Sequence, residues 1–138
     1  MRLVNIQPAT VDQLRSKSAD FANLGPTDIP PRGVEGPRVA GDTISTTAGQ
    51  KFLVLNGFVI VNNIGGTDDV AVCGYDIDGS NIGIPTQRAV PAKSEVQIGM
   101  VARHPVKAGK HTVDVFCSSV RTIDLSADGT QVTAIATG

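Results

Sequence analysis

The chain is predicted to be all-β, a jelly roll or related antiparallel β-sandwich carrying an extended N-terminal arm. Three observations predict this. Among 138 residues there are 17 Val, 11 Ile and 12 Thr, and such β-branched side chains fit a pleated strand better than a helix. From Val39 onward, apolar and polar residues alternate in short runs separated by Gly, Asn and Asp turns. Residues 1–38 differ, holding five prolines (Pro8, Pro26, Pro30, Pro31 and Pro37) with Gly25, Gly33 and Gly36 among them. Proline removes a backbone donor and glycine weakens regular elements, so 25–38 reads as an extended, sheet-averse segment. The division is an arm over 1–38 and a β domain over 39–138, with a single core in a chain too short for two comfortable ones.

Within the arm the pattern allows one short helix. Thr10 is placed to cap it with Gln13 at the capping-box position, Val11, Leu14, Phe21 and Leu24 keep helical spacing, and Gly25-Pro26 supplies a stop. Arg15-Ser16-Lys17-Ser18 interrupts that stripe, so the same segment also suits a non-helical tether. The β domain opens with a strand over Val39–Thr46 and a turn at Ala48-Gly49. Lys51–Val61 is the longest apolar run, too continuous to have one wet face, and is expected in the middle of the sandwich. A polar turn cluster over 62–69 leads to a strand over Val70–Ile77, and Asp78-Gly79 is a hairpin signal joining it to 81–84. Further strands are expected at Arg88–Val90, Val96–Arg103, His111–Cys117, Val120–Leu125 and Gln131–Ala136, about eight in all, as a sandwich requires. Period-two alternation nominates Ala71, Cys73, Tyr75 and Ile77, then Val113, Val115 and Cys117, then Val132, Ala134 and Ala136 as inward-pointing.

Composition narrows the function classes. Trp is absent, Tyr occurs once and Phe four times, so the core lacks the large areas that aromatics bury; oligomerisation would offset that shortage. A formal net charge of −1, from 12 basic and 13 acidic residues, provides no electrostatic footprint for nucleic acid or an anionic membrane. The N-terminal residues lack an apolar signal core and no run of about 18 apolar residues occurs, which predicts soluble synthesis in a cytoplasm. Cys73 and Cys117 are the two cysteines; lying in apolar strand patterns, they read as buried thiols rather than a disulfide framework.

Signs of catalysis or metal binding are few. Asp76-Ile77-Asp78-Gly79-Ser80-Asn81 superficially matches a calcium loop, but its sixth position is Asn81 rather than Gly and its twelfth is Gln87 rather than Glu. A hairpin turn explains it without an ion, and no metal or cofactor is expected. His104 and His111, the two histidines, have no motif around them, and no nucleophile elbow, zincin pair or phosphate loop is present. The expectation is a protein that is not an enzyme. Arg103-His104-Pro105-Val106-Lys107-Ala108-Gly109-Lys110-His111 is a local basic cluster, either a solvated hairpin loop or, with Arg103, Lys107 and Lys110, a contact for an acidic surface. In the arm, Leu14, Phe21, Leu24 and Ile29 are candidate apolar anchors, and Arg2, Arg15, Arg32 and Arg38 are candidates to pair with a partner's carboxylates.

A turn feeding a penultimate strand, Ala108-Gly109-Lys110-His111-Thr112-Val113-Asp114-Val115, followed by the closing run Gly129-Thr130-Gln131-Val132-Thr133-Ala134-Ile135-Ala136, resembles the last strands of TNF- and C1q-like jelly rolls and of many phage head and fibre proteins. The resemblance covers 95–138 by motif and 40–94 by strand pattern. It implies a homotrimer about a three-fold axis, burying one sheet edge or face of each protomer. It also implies a phage decoration or cement protein that binds the major capsid protein on the virion surface and clasps neighbouring subunits with its arm. The alternative it leaves open is a receptor- or carbohydrate-binding head module of a phage tail or head fibre.

Overall fold

The computed structural model describes residues 18–22, 27–29, 39–121 and 124–138. They form nine strands: β1 (Ser18–Ala22), β2 (Thr27–Asp28), β3 (Ala40–Thr46), β4 (Phe52–Asn63), β5 (Asp69–Ile77), β6 (Ser80–Val90), β7 (Glu95–Pro105), β8 (Gly109–Ser119) and β9 (Leu125–Thr137). One sheet runs β1-β9-β4-β7, with β2 also on β9, and the other runs β3-β8-β5-β6. Every pairing is antiparallel. The pairs β1·β9, β3·β8, β4·β7 and β5·β6 nest around the turn at Asp78-Gly79, so the chain is one long ribbon wrapped over itself, which is the jelly-roll architecture.

Alternation determines what lies between the sheets. Ala71, Cys73, Tyr75 and Ile77 of β5, Val113, Val115 and Cys117 of β8, and Val132, Ala134 and Ala136 of β9 are all buried, as their spacing predicts. They meet Leu53, Leu55, Val59 and Val61 of β4 and Ile98 and Met100 of β7. Each fully buried Leu, Ile or Val contributes about 1.5–3 kcal/mol, and the two inner faces supply most of the core. The apolar run at β4 does lie mid-sheet, between β9 and β7. It is nevertheless an alternating strand, with Leu53, Leu55, Val59 and Val61 inside and Val54, Phe58 and Ile60 half-buried on the outer face.

Several sequence expectations are corrected. Cys73 and Cys117 form a disulfide rather than two thiols, because β5·β8 places them directly opposite with their Cα atoms 4.1 Å apart; a separation of 44 residues hid that register. Residues 18–22 are strand where the spacing allowed helix: their backbone pairs with 131–135 of β9, and an open sheet edge outweighs a narrow helical stripe. The remainder of that helix expectation lies outside the described residues. Thr27 and Asp28 pair with Ala127 and Ser126, so the segment expected to avoid sheets contributes a two-residue ladder. The strand expected over Val120–Leu125 is not found at the described residues 120, 121 and 124. Val120 and Arg121 turn out of β8, with their amides donating to the Val70 carbonyl and the Asp69 carboxylate, and Leu125 begins β9. Residues 81–84 and 88–90 belong to one strand, β6, interrupted by an irregularity.

That irregularity has a cause in sequence. Cys73 faces Thr86 while Tyr75 faces Ile82, so Gly74 opposes Gly83, Ile84 and Pro85. Gly83 adopts φ +66°, a conformation glycine enters without a Cβ penalty, and Pro85 brings no donor to the ladder. The looped-out residues leave Ile84 95% exposed.

The 62–69 cluster is held by Asn63, which is fully buried at the end of β4. Its amide donates to the carbonyls of Thr67 (2.9 Å) and Val90 (3.0 Å), and its Oδ1 accepts from the Gly65 amide at 2.9 Å. Asn63→Ala is expected to cost about 2–3 kcal/mol by urea unfolding, since three backbone groups lose their partner together, the buried Val90 carbonyl among them.

Candidate functional site

The outer face of the β1-β9-β4-β7 sheet is built by the residues that alternate with the core. Register sets them in rows across β9, β4 and β7: Ile135, Val54 and Arg103; Thr133, Asn56 and Val101; Gln131, Phe58 and Gly99; Gly129, Ile60 and Gln97. Arg103 is the one charged residue in these rows, and its guanidinium lies 3.7 Å from the centroid of the Phe52 ring, a cation–π contact. At the centre, Asn56, Phe58, Gln97, Gly99, Gln131 and Thr133 border a cup of about 500 Å³. Its floor is low because Gly99 has no side chain and Gly57 sits tightly against β9.

Beside this face, β6 and β7 form the seam between the two sheets. Ile84 on the β6 irregularity is 95% exposed and Val101 on β7 is 77% exposed; both border a hollow of about 70 Å³. Two exposed apolar side chains side by side make this hollow a candidate contact surface. Beneath it, Tyr75 donates its buried hydroxyl to the Met100 carbonyl at 3.0 Å, and burial pushes its pKa up to about 12.

At the end of the sandwich bearing the basic cluster, Lys107 and Lys110 are exposed while the loop backbone is tied down. Thr46 donates its hydroxyl to the Lys107 carbonyl at 2.9 Å, and the buried His111 ring approaches the same carbonyl through Nε2 at 2.6 Å. The Asp78 carboxylate is committed to the same end. Its Oδ2 lies 2.7 Å from His111 Nδ1 and its Oδ1 accepts the Thr112 amide at 2.9 Å, so the central carboxylate of the segment that resembles a calcium loop is occupied in closing a turn. On the outer face of the other sheet Asp76 and Asp114 pair across β5·β8. Burial first, and then the Asp114 charge, raise the Asp76 carboxyl above its ordinary range. Among the described residues no group of three or more His, Cys, Asp or Glu is placed to hold a metal ion.

The arm candidates separate. Ile29 is 1% exposed within the core and its amide donates to the Leu125 carbonyl, so its side chain is used inside the domain and is not an anchor for a partner. Phe21 lies on β1, opposite Val132. Arg2, Leu14, Arg15, Leu24, Arg32 and Arg38 lie outside the described residues. Sequence reasoning missed Asn56, Phe58, Gln97, Gln131 and Ile84. The signal for Phe58 was present in the uninterrupted apolar run at β4, which had been expected to mean burial on both faces.

No protein family model matches the chain, and no curated protein matches it in sequence. Solved structures match in fold. The Eiger TNF of S. frugiperda is 10% identical, covering 88% of this chain and 92% of that chain with a TM-score of 0.52. The T13 IBDV viral particle is 10% identical with a TM-score of 0.51, covering 87% of this chain and 31% of that chain. The infectious bursal disease virus Gx strain structure is likewise 10% identical at 0.51, covering 88% and 34%. At such identities the likeness concerns fold alone, and it agrees with the strand order: the chain is a jelly-roll β-sandwich of a kind found both in a TNF protein and in viral particles.

Proposed function

We propose that this chain is a non-enzymatic capsid decoration protein of a virus, a homotrimer whose arm and basic loop bind the major capsid protein at the virion surface. The observation that carries the reading is the pairing of a neutral cup on one sheet with an exposed apolar edge beside it. A contact in which the exposed Ile84 edge of one protomer seats on the Phe58–Gly99 cup of the next, with Val101 at its rim, is heterologous, and about a three-fold axis it closes into a ring. With no charge in the central rows, copies do not repel, and burying the half-exposed Phe58, Ile60 and Val54 compensates for a core poor in aromatics. A trimer also presents three arms and three basic loops to a lattice, which slows detachment.

The mass of the protein in solution, measured by light scattering, tests this directly. Wild type is expected at three times the chain mass, and Phe58→Asp or Ile84→Asp at one, with sandwich stability within about 1 kcal/mol of the wild-type monomer. Co-sedimentation with capsids lacking the protein tests the partner: binding is expected for wild type and loss when residues 1–17 are removed, a cut that spares β1, β2 and Ile29. A wild-type monomer, or undiminished capsid binding without residues 1–17, counts against the proposal.

A second reading has its own observation. The side chains of Asn56, Gln97, Gln131 and Thr133 around Phe58 offer the paired donors, acceptors and apolar ring face that suit a neutral sugar. A receptor- or carbohydrate-binding head would leave that cup open. Glycan-array binding that disappears in Gln97→Ala and Gln131→Ala, by a protein that ignores capsids, would favour it.

A further inference from the structure

The His111 ring lies between two hydrogen-bond acceptors brought from different segments. Nδ1 is 2.7 Å from Asp78 Oδ2, in the turn between β5 and β6, and Nε2 is 2.6 Å from the Lys107 carbonyl, in the loop before β8. A neutral imidazole carries one N–H and one lone pair, so it satisfies one acceptor and turns a lone pair toward the other. The imidazolium donates to both. His111 is 8% exposed, so its ring depends on these two partners, whereas the Asp78 carboxylate is half exposed.

The surroundings are arranged for the charged ring. Asp78 also holds the Thr112 backbone, its amide donating to the Thr112 carbonyl at 2.9 Å and its side-chain Oδ1 accepting the Thr112 amide. From β3, Ile44 pairs with His111 and brings no charge, while Thr46 holds the Lys107 carbonyl from the other side. His104 on β7 acts on Asp78, and Lys107 and Lys110 flank the ring along its own segment. Among these groups the carboxylate is the direct partner.

We propose that His111, Asp78 and the Lys107 carbonyl form a pH-sensitive latch, closed while the imidazole is protonated, that fixes the loop bearing Lys107 against the β5–β6 turn. The hydrogen bond to Asp78 is the largest influence raising the His111 pKa above 6.5; burial opposes it, and the Lys107 carbonyl and the Asp78 charge add to it. For Asp78, burial acts upward, but the His111 hydrogen bond, the Thr112 amide and the charges of His111 and His104 outweigh it and hold the carboxyl below 3.8. The raised histidine stabilises the fold fully below its unfolded value and ceases to do so as pH rises through the higher folded value. The lowered carboxylate stabilises above its unfolded value and ceases to do so as pH falls through the lower folded one. The latch is therefore firmest between those unfolded values, and alkalinity releases the loop at Lys107.

NMR on the full chain tests it. At about pH 6 both His111 ring nitrogens should carry protons, with a titration midpoint above the free-histidine value, and His104→Gln identifies which resonance is which. Asp78→Asn should weaken proton binding at His111 about tenfold, one pH unit. Exchange protection of the Asp78 and Thr112 amides, normalised to the unfolded chain, should fall as wild type is taken through the midpoint and stay low at every pH in Asp78→Asn. His111→Gln, which does not titrate, should abolish the pH dependence and serves if Asp78→Asn does not fold. A neutral single tautomer at about pH 6, a midpoint unmoved by Asp78→Asn, or protection independent of pH in wild type would each overturn the proposal.

Discussion

Gly57→Ala is expected to destabilise the sandwich by about 3 kcal/mol or more, through overpacking at a site that cannot relax locally. A Cβ built at Gly57 lies 2.1 Å from the Gln131 carbonyl oxygen, 2.6 Å from Val132 Cα and 2.8 Å from Val132 Cγ2. Two of those three atoms are backbone of β9, which is paired with β4 across eleven further positions, so relief requires the central strands of the sheet to separate. Gly66→Ala is the control: a Cβ there meets nothing within 4 Å, and a change under about 0.5 kcal/mol is expected. Urea unfolding of the two variants beside wild type checks the contrast. Equal midpoints for Gly57→Ala and wild type would mean that the close approach of β4 and β9 is not real.

The second large effect concerns the disulfide. Joining Cys73 to Cys117 removes freedom from an unfolded chain across 44 residues, and the chain-entropy account puts the stabilisation at about 4 kcal/mol. Cys73→Ala combined with Cys117→Ala should lower stability by that order, with a further contribution from the side-chain volume lost in the core. Wild type unfolded and refolded with a reductant should match the double variant more nearly than the oxidised protein. Titration of two free thiols in unfolded wild type without reductant would sink the prediction. Such bonds persist where the surroundings are oxidising, a condition met outside a cell more readily than in the cytoplasm where synthesis was expected.

What the sequence disclosed, and what it concealed, follows from the range of each interaction. Alternation is local, so the inward residues of β5, β8 and β9 could be listed from their own strands. The turn at Asp78-Gly79 was legible for the same reason, since two adjacent residues specify it. Pairing across the sheets is not local. The cysteine bridge, the capture of 18–22 by β9 and the burial of Ile29 each depend on a partner some 40 to 120 positions away, as Cys117 is from Cys73, Ile135 from Ser18 and Leu125 from Ile29. The candidate surface was concealed differently. Asn56, Gln97 and Gln131 are unremarkable on their own strands and become neighbours only when β7, β4 and β9 are laid side by side. His111 showed no motif because its partners are a carboxylate from another turn and a main-chain oxygen, neither of which leaves a pattern of spacing.

The nesting of strand pairs also orders the assembly of the chain in time. β5·β6 closes across a two-residue turn, whereas β1·β9 joins Ser18 to Ile135 and so encloses nearly the entire ribbon. Loop-closure entropy grows with the length enclosed and must be met before a contact repays it. The outermost pair is thus the last to form and, at five residues on a sheet edge, the first to open. A strand that docks last onto a sheet edge can leave it while the rest of the sandwich stays paired, so the β9 edge is where this fold first offers unpaired backbone to another strand.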